Sequence, residues 1–106
     1  MTTKRARHSD AREFLERIRG EPLSLGALLA AIREGEGWSQ TRMGEFLGVS
    51  RAHVCDIEKG RRLVTPDRAV RWAKALGYGE KQFVRLALQD QLRAAGVKMK
   101  VDVHAA

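Results

Sequence analysis

Residues 40–60 read QTRMGEFLGVSRAHVCDIEKG. Two glycines, Gly48 and Gly60, divide this stretch, and Ser50 stands just past the first of them. Serine is a strong N-cap and glycine a natural left-handed C-cap, so residues 50–60 predict one short helix. Upstream, Ser39 caps a preceding helix that turns Met43, Phe46 and Leu47 inward and stops at Gly48. The second helix has few apolar residues. Its polar ones are Arg51, His53, Asp56, Glu58 and Lys59, and it carries Cys55, the single cysteine of the chain. A helix with so little to bury gains little by lying on a surface, so its polar side needs a partner.

Helix periodicity separates the two sides. At about 100° per residue, Val54 and Ile57 share one side. Arg51, Ala52, Cys55, Asp56 and Lys59 fall together opposite them, with Glu58 at one border and His53 at the other. The arrangement fits the helix-turn-helix pattern at each constrained position. Met43 and Leu47 face the core from the first helix. Gly44 is small where the helices cross closely. Gly48 occupies a turn that needs positive φ, and Val49 plugs that turn. Val54 and Ile57 anchor the second helix, whose outward stripe has a width that a DNA major groove accepts.

The flanks supply further helices. Asp10 and Glu13 form a capping box before Phe14, Leu15 and Ile18, predicting an N-terminal helix that ends at Gly20 and Pro22. Ser24 starts another, with Leu25, Leu28, Leu29 and Ile32 at helical spacing and Ala27, Ala30 and Ala31 allowing close approach. Gly35 or Gly37 ends it. Thr65 and Pro66 are N-cap and N1 of a helix carrying Val70, Trp72, Ala73 and Leu76, stopped at Gly77. A last helix spans about Glu80 to Ala94 with the stripe Phe83, Val84, Leu86, Ala87, Leu88 and Leu92. The tail then changes period. Val97, Met99, Val101 and Val103 alternate with Lys98, Lys100, Asp102 and His104, which predicts a β-strand. A lone strand leaves backbone donors and acceptors unpaired, so this one is expected to pair with a second copy or with another protein.

Composition narrows the partner. The chain has 106 residues, 43% hydrophobic and 31% charged, ordinary values for a folded domain. A net charge of +7 is not ordinary and points first to nucleic acid, then to an anionic membrane surface. One cysteine excludes an intramolecular disulfide and any multi-cysteine metal site. No apolar run approaches the ~20 residues of a membrane span. The basic MTTKRARHSD start lacks the apolar middle of a signal peptide, so the expected compartment is the cytoplasm.

Residues 24–76 resemble the XRE/Cro family of bacterial and phage repressors, most closely in CDIEKGRR, residues 55–62. The resemblance implies an ion pair between Glu58 and Arg33 of the first core helix. It also implies phosphate contacts at Gln40 and around Lys59, Arg61 and Arg62, with the helix-opening serines Ser39 and Ser50 placed beside them. Gln40 opens a helix whose amides attract phosphate, and the basic cluster follows the recognition helix directly. Base reading falls to the outward stripe. Arg51 can bond guanine bidentately, Ala52 can touch a thymine methyl, and Asp56 can accept from cytosine or repel wrong placements, with Cys55 a small residue near the DNA.

The expected fold is all-α: a five-helix repressor-type helix-turn-helix domain with an N-terminal helix and a C-terminal β-strand extension. Residues 1–22 form a basic extension with a short helix, 23–78 the DNA-binding domain, and 79–106 a helix and strand for dimerisation or partner binding through Val97, Met99, Val101 and Val103. An enzyme would need a nucleophile, a base and a pocket. His53 and Cys55 project from different sides, no metal spacing occurs, and no cofactor is implied. The expected function is a dimeric repressor of its own operon acting as a type II antitoxin, with an operator duplex, a second copy and a small toxin as partners. The alternatives are a phage- or plasmid-type repressor without a toxin, and an interaction module whose terminal strand captures a partner.

Overall fold

A computed structural model describes residues 23–106. The expected N-terminal helix at residues 10–20 lies outside the described residues. Five helices follow one another: α1 Leu25–Glu36, α2 Gln40–Leu47, α3 Arg51–Glu58, α4 Pro66–Leu76 and α5 Glu80–Ala94. Each start has a local cause. The hydroxyls of Ser24, Ser39 and Ser50 accept from the amides of Ala27, Arg42 and His53 at 3.0–3.1 Å, each satisfying one orphan donor of the first turn. Pro66 opens α4, where its fixed φ and missing N–H suit the first turn. Of the two stops considered for α1, Gly37 is the one used, at φ 72°.

The core is shared by all five helices. Leu25, Leu28, Leu29 and Ile32 of α1 meet Met43 and Leu47 of α2, Val54 and Ile57 of α3, Ala69, Trp72 and Leu76 of α4, and Phe83, Leu86 and Ala87 of α5. The α4–α5 pair and the α2–α3 pair pack most extensively, and α1 bridges them by touching α3 and α5. Two buried polar contacts fix the junctions. The Trp72 indole donates to the Leu47 carbonyl at 3.1 Å, satisfying one acceptor at the α2 C-terminus. The Leu25 amide donates to Asp90 at 3.0 Å, so α5 supplies a carboxylate to the N-terminus of α1. Burial pushes the Asp90 carboxyl above its ordinary value, against the opposing influence of the Leu25 amide and Arg93.

Three sequence expectations are corrected. No β-strand forms among the described residues, and residues 97–106 have no regular secondary structure and no ladder pairing. The tail instead docks on α5. Gln89 donates from Nε2 to the Met99 carbonyl and accepts at Oε1 from the Val101 amide, both at 2.8 Å. One side-chain amide thus stands where a neighbouring strand was expected. The alternation at Val97, Met99, Val101 and Val103 is real in the sequence, but here the backbone it covers is tethered by a side chain and not by a sheet. Val101 and Val103 are half-buried, whereas Met99 stays 69% exposed. Phe46 does not face the core. It is 36% exposed and stacks on Trp38 at 4.4 Å, with the Arg42 guanidinium 4.8 Å above its ring. Close approach of α1 to α3 is made by Gly26, not only by the alanines: a Cβ there would collide with the Ile57 carbonyl oxygen.

Gly44 is the second close approach, since a Cβ built on it lies 2.5 Å from the Val49 carbonyl oxygen. Gly35, in α1, has nothing within 4 Å. The same substitution should therefore have opposite signs at the two sites. Gly35→Ala should stabilise by up to about 1 kcal/mol through helix propensity. Gly44→Ala should destabilise by about 1–3 kcal/mol, because the backbone of the turn must move. Urea unfolding of the two variants measures both, and equal stabilities would remove the packing constraint at Gly44.

Candidate nucleic-acid interface

Three apposed elements build the site: the start of α2, the whole of α3 and the connection from Lys59 to Thr65. Helix α3 is eight residues long, too short to be stable by itself. It is held by Val54 and Ile57, each 2% exposed, against α1 and α2. Glu58 holds it from one border. Arg33 donates to it twice, from Nε to Oε2 at 2.7 Å and from Nη2 to Oε1 at 3.1 Å. The remaining guanidinium arm donates from Nη1 to the Trp38 carbonyl at 3.0 Å. Gln40 adds a bond from Nε2 to Glu58 Oε1 at 3.1 Å. The Glu58 side chain is 7% exposed and that of Arg33 17%. The bond to Glu58 raises the Arg33 guanidinium above its ordinary value despite burial. One carboxylate thereby ties the end of α1, the α1–α2 connection, the start of α2 and the end of α3.

With its inner side fixed, α3 turns Arg51, Ala52 and Lys59 to solvent, while Cys55 and Asp56 are half-buried. The cause is Arg61, which folds back over the last turn. Its amide donates to the Asp56 carbonyl at 2.8 Å, its Nε to Asp56 Oδ1 at 3.2 Å, and its Nη2 lies 4.0 Å from the Cys55 sulfur. Asp56, Cys55 and Arg61 therefore form one unit. Arg62 and Lys59 are exposed beside it. The Ser39 and Ser50 hydroxyls accept from helix amides, which leaves each O–H free to donate. Gln40 spends one amide hydrogen on Glu58 and keeps the second. Val97, Met99, Val101 and Val103 belong to the tail on α5 and take no part in this site.

Two residues here carry signals that the sequence reading passed over. His53, left as a border residue, has Arg62 Nη1 at 3.3–3.4 Å from its ring nitrogens and Arg68 Nη1 at 3.4 Å from Nε2. Arg68 sits in the first turns of α4, and only the fold brings it to α3. His53 also meets the Trp72 ring edge-on at 6.3 Å. Burial, then Arg62 and Arg68, lower the His53 midpoint from the ordinary 6.5, with Asp56 opposing. His53 faces guanidinium groups and Cys55 faces Arg61. Among the described residues, no group of three His, Cys, Asp or Glu side chains is placed to hold a metal ion, and no helix is long and apolar enough to cross a membrane.

Short helices crossing at Gly44, a left-handed glycine turn at Gly48 and an anchored second helix with a free outer side define the unit. Residues 24–86, more than half of the chain, match a family described as a helix-turn-helix domain. The protein belongs to this helix-turn-helix family. No curated protein and no solved structure matches it. The family match extends from the Ser24 cap into α5, so it takes in the Arg33–Glu58 pair and the basic connection as well as the two central helices.

The network around Glu58 makes a quantitative expectation. Removing either partner leaves a largely desolvated charge, so Arg33→Met and Glu58→Gln should each destabilise by about 2–4 kcal/mol. The double variant should lose less than the sum, by a coupling of about 1–3 kcal/mol. Guanidinium-free urea unfolding of the three variants tests this, and strictly additive losses would show that the two charges do not act as a pair.

Proposed function

We propose that this helix-turn-helix protein is a sequence-specific DNA-binding transcriptional regulator of the XRE type. The carrying observation is the α3 surface: a helix clamped on its inner side by Val54, Ile57 and Glu58 that keeps Arg51, Ala52 and Lys59 in solvent. In this reading Arg51, at the N-terminal end of α3, bonds guanine, and Ala52 contacts a thymine methyl. Cys55 and Asp56 complete the base-facing stripe, with Asp56 acting through its hold on Arg61. Ser39, Gln40, Ser50, Lys59, Arg61 and Arg62 contact phosphates. The net charge of +7 supplies the long-range attraction to the duplex.

Binding as a homodimer to a pseudo-palindromic operator fits the dimensions. The described residues measure 37 × 32 × 30 Å. Two such bodies side by side place equivalent helices about 34 Å apart, one duplex turn. Repression by occluding a promoter then follows from occupancy. The antitoxin setting is a narrower form of the same reading. It is supported by residues 87–106, which extend past the family match. Without a terminal strand, a toxin would meet a docked tail on α5, and co-purification with the product of a neighbouring reading frame decides that setting.

Fluorescence anisotropy on a selected operator tests the main reading. Affinity should fall steeply with salt, with log K roughly linear in log salt. Arg51→Ala should cost about 1–3 kcal/mol and relax preference at one base pair. Uniform loss over all sequences would make Arg51 a backbone contact, and a flat salt dependence would remove the DNA reading altogether.

A further inference from the structure

The geometry points to a proton-coupled phosphate clamp formed by His53, Arg62 and Arg68, which takes a backbone phosphate of the duplex and brings a proton onto the imidazole as it binds. The inference rests on the DNA reading above and assigns a ligand group to His53 and Arg68. These residues come from α3, the following connection and α4, and they converge on one point. Arg62 Nη1 lies 3.3 Å from Nε2 and 3.4 Å from Nδ1 of His53, and Arg68 Nη1 lies 3.4 Å from Nε2. Guanidinium groups only donate, and a neutral imidazole has one acceptor nitrogen. These close contacts therefore outnumber the acceptors available to them. Among the described residues neither Arg62 nor Arg68 forms an ion pair with a carboxylate, whereas Arg33, Arg42, Arg61, Arg71 and Arg93 all do.

The charges facing the imidazole decide its response. Arg62 faces it from the connection and Arg68 from α4, both cationic; from its own helix comes Asp56, whose carboxylate is held by Arg61 at 3.2 Å. The neutral Trp72 ring packs behind it. In the free protein this environment keeps His53 neutral at neutral pH. A phosphate between the two guanidinium groups reverses the local sign of charge. It accepts from both arginines and favours the protonated imidazole, which then donates a third bond. Phosphate binding and proton uptake are thus linked. The base-reading side of α3 is not involved, so the clamp sets affinity and its pH dependence while leaving sequence preference alone.

The test uses the full chain and follows the His53 imidazole resonances by NMR from pH 5 to 8. Three samples are compared: free protein, protein with inorganic phosphate and protein with a duplex. Both phosphate and duplex should raise the His53 midpoint. Duplex affinity at constant salt should grow by up to about tenfold per pH unit as pH falls between the free and bound midpoints. His53→Gln should remove this pH dependence and leave base preference unchanged, which separates His53 from His8 and His104. Arg68→Gln should raise the free midpoint, shrink the phosphate-induced rise and lower the salt slope by about one. A duplex that binds while the His53 midpoint stays fixed or falls overturns the clamp and leaves the DNA reading intact. A midpoint raised by phosphate in a protein that binds no duplex upholds the anion site and defeats the DNA reading. Insensitivity to phosphate and duplex alike overturns the clamp.

Discussion

The bidentate contact of Arg33 with Glu58 is the constraint on which the site depends. Helix α3 buries only Val54 and Ile57, too little apolar surface to fix both its position and its rotation. Apolar contact is non-directional, and a helix resting on two aliphatic side chains can roll about its own axis. A planar guanidinium fork on a carboxylate cannot roll without breaking bonds. Glu58 therefore sets the rotation of α3, and with it the direction of Arg51 and Ala52. The same carboxylate receives Gln40, so the start of α2 is registered against the end of α3 by one group. Gly26 completes the arrangement. Its missing side chain lets α1 approach the Ile57 backbone, which brings Arg33 within reach of Glu58.

Acidic side chains in this domain are largely occupied internally. Glu58 belongs to Arg33, Asp56 to Arg61, Glu45 to Arg42 and Asp67 to Arg71. The exposed pairs contribute little to stability. Their consequence is electrostatic: Asp56 and Glu58 of α3 are neutralised by neighbours, while Arg51, Lys59, Arg62 and Arg68 stand near them without a carboxylate partner among the described residues. A net charge of +7 spread evenly would suit any polyanion. Arg51, Lys59, Arg62 and Arg68 lie on and around one clamped helix, an arrangement that suits a duplex, and Asp56 bonded to Arg61 no longer repels phosphates as a bare carboxylate would.

Much of this was legible in the residues because it is local. Caps at Ser24, Ser39 and Ser50, the turn at Gly48 and the α5 bounds Glu80–Ala94 follow from short-range chemistry that a sequence carries in full. The misses all depend on what lies across space. Phe46 has the spacing of a core residue, but Trp38 offers it a stacking partner outside the core. The tail alternates as a strand does, yet its hydrogen bonds are made by Gln89, a side chain ten residues away whose role no periodicity reveals. Gly26 looks like an ordinary helical glycine until the carbonyl of Ile57 is set against it. His53 was placed correctly at the border of the wheel, but the arginine opposite it on α4 lies fifteen residues along the chain. For the candidate site, the exposure of Arg51, Ala52 and Lys59 is readable from periodicity, whereas the half-burial of Cys55 and Asp56 and the partners that occupy Asp56, Gln40 and His53 are not.

An eight-residue helix such as α3 has an orientation that is wholly a tertiary property, and this divides substitutions into kinds. A change at Arg51 alters what the surface meets. A change at Arg33 or Gly26 alters where the surface points without itself meeting a ligand. Since a functional surface tolerates only small displacement, loss of the Glu58 clamp should impair the proposed recognition well before it unfolds the domain. The binding energy of such a site therefore resides partly in residues that never contact DNA: they hold α3 in its bound orientation beforehand, so association need not spend free energy ordering it.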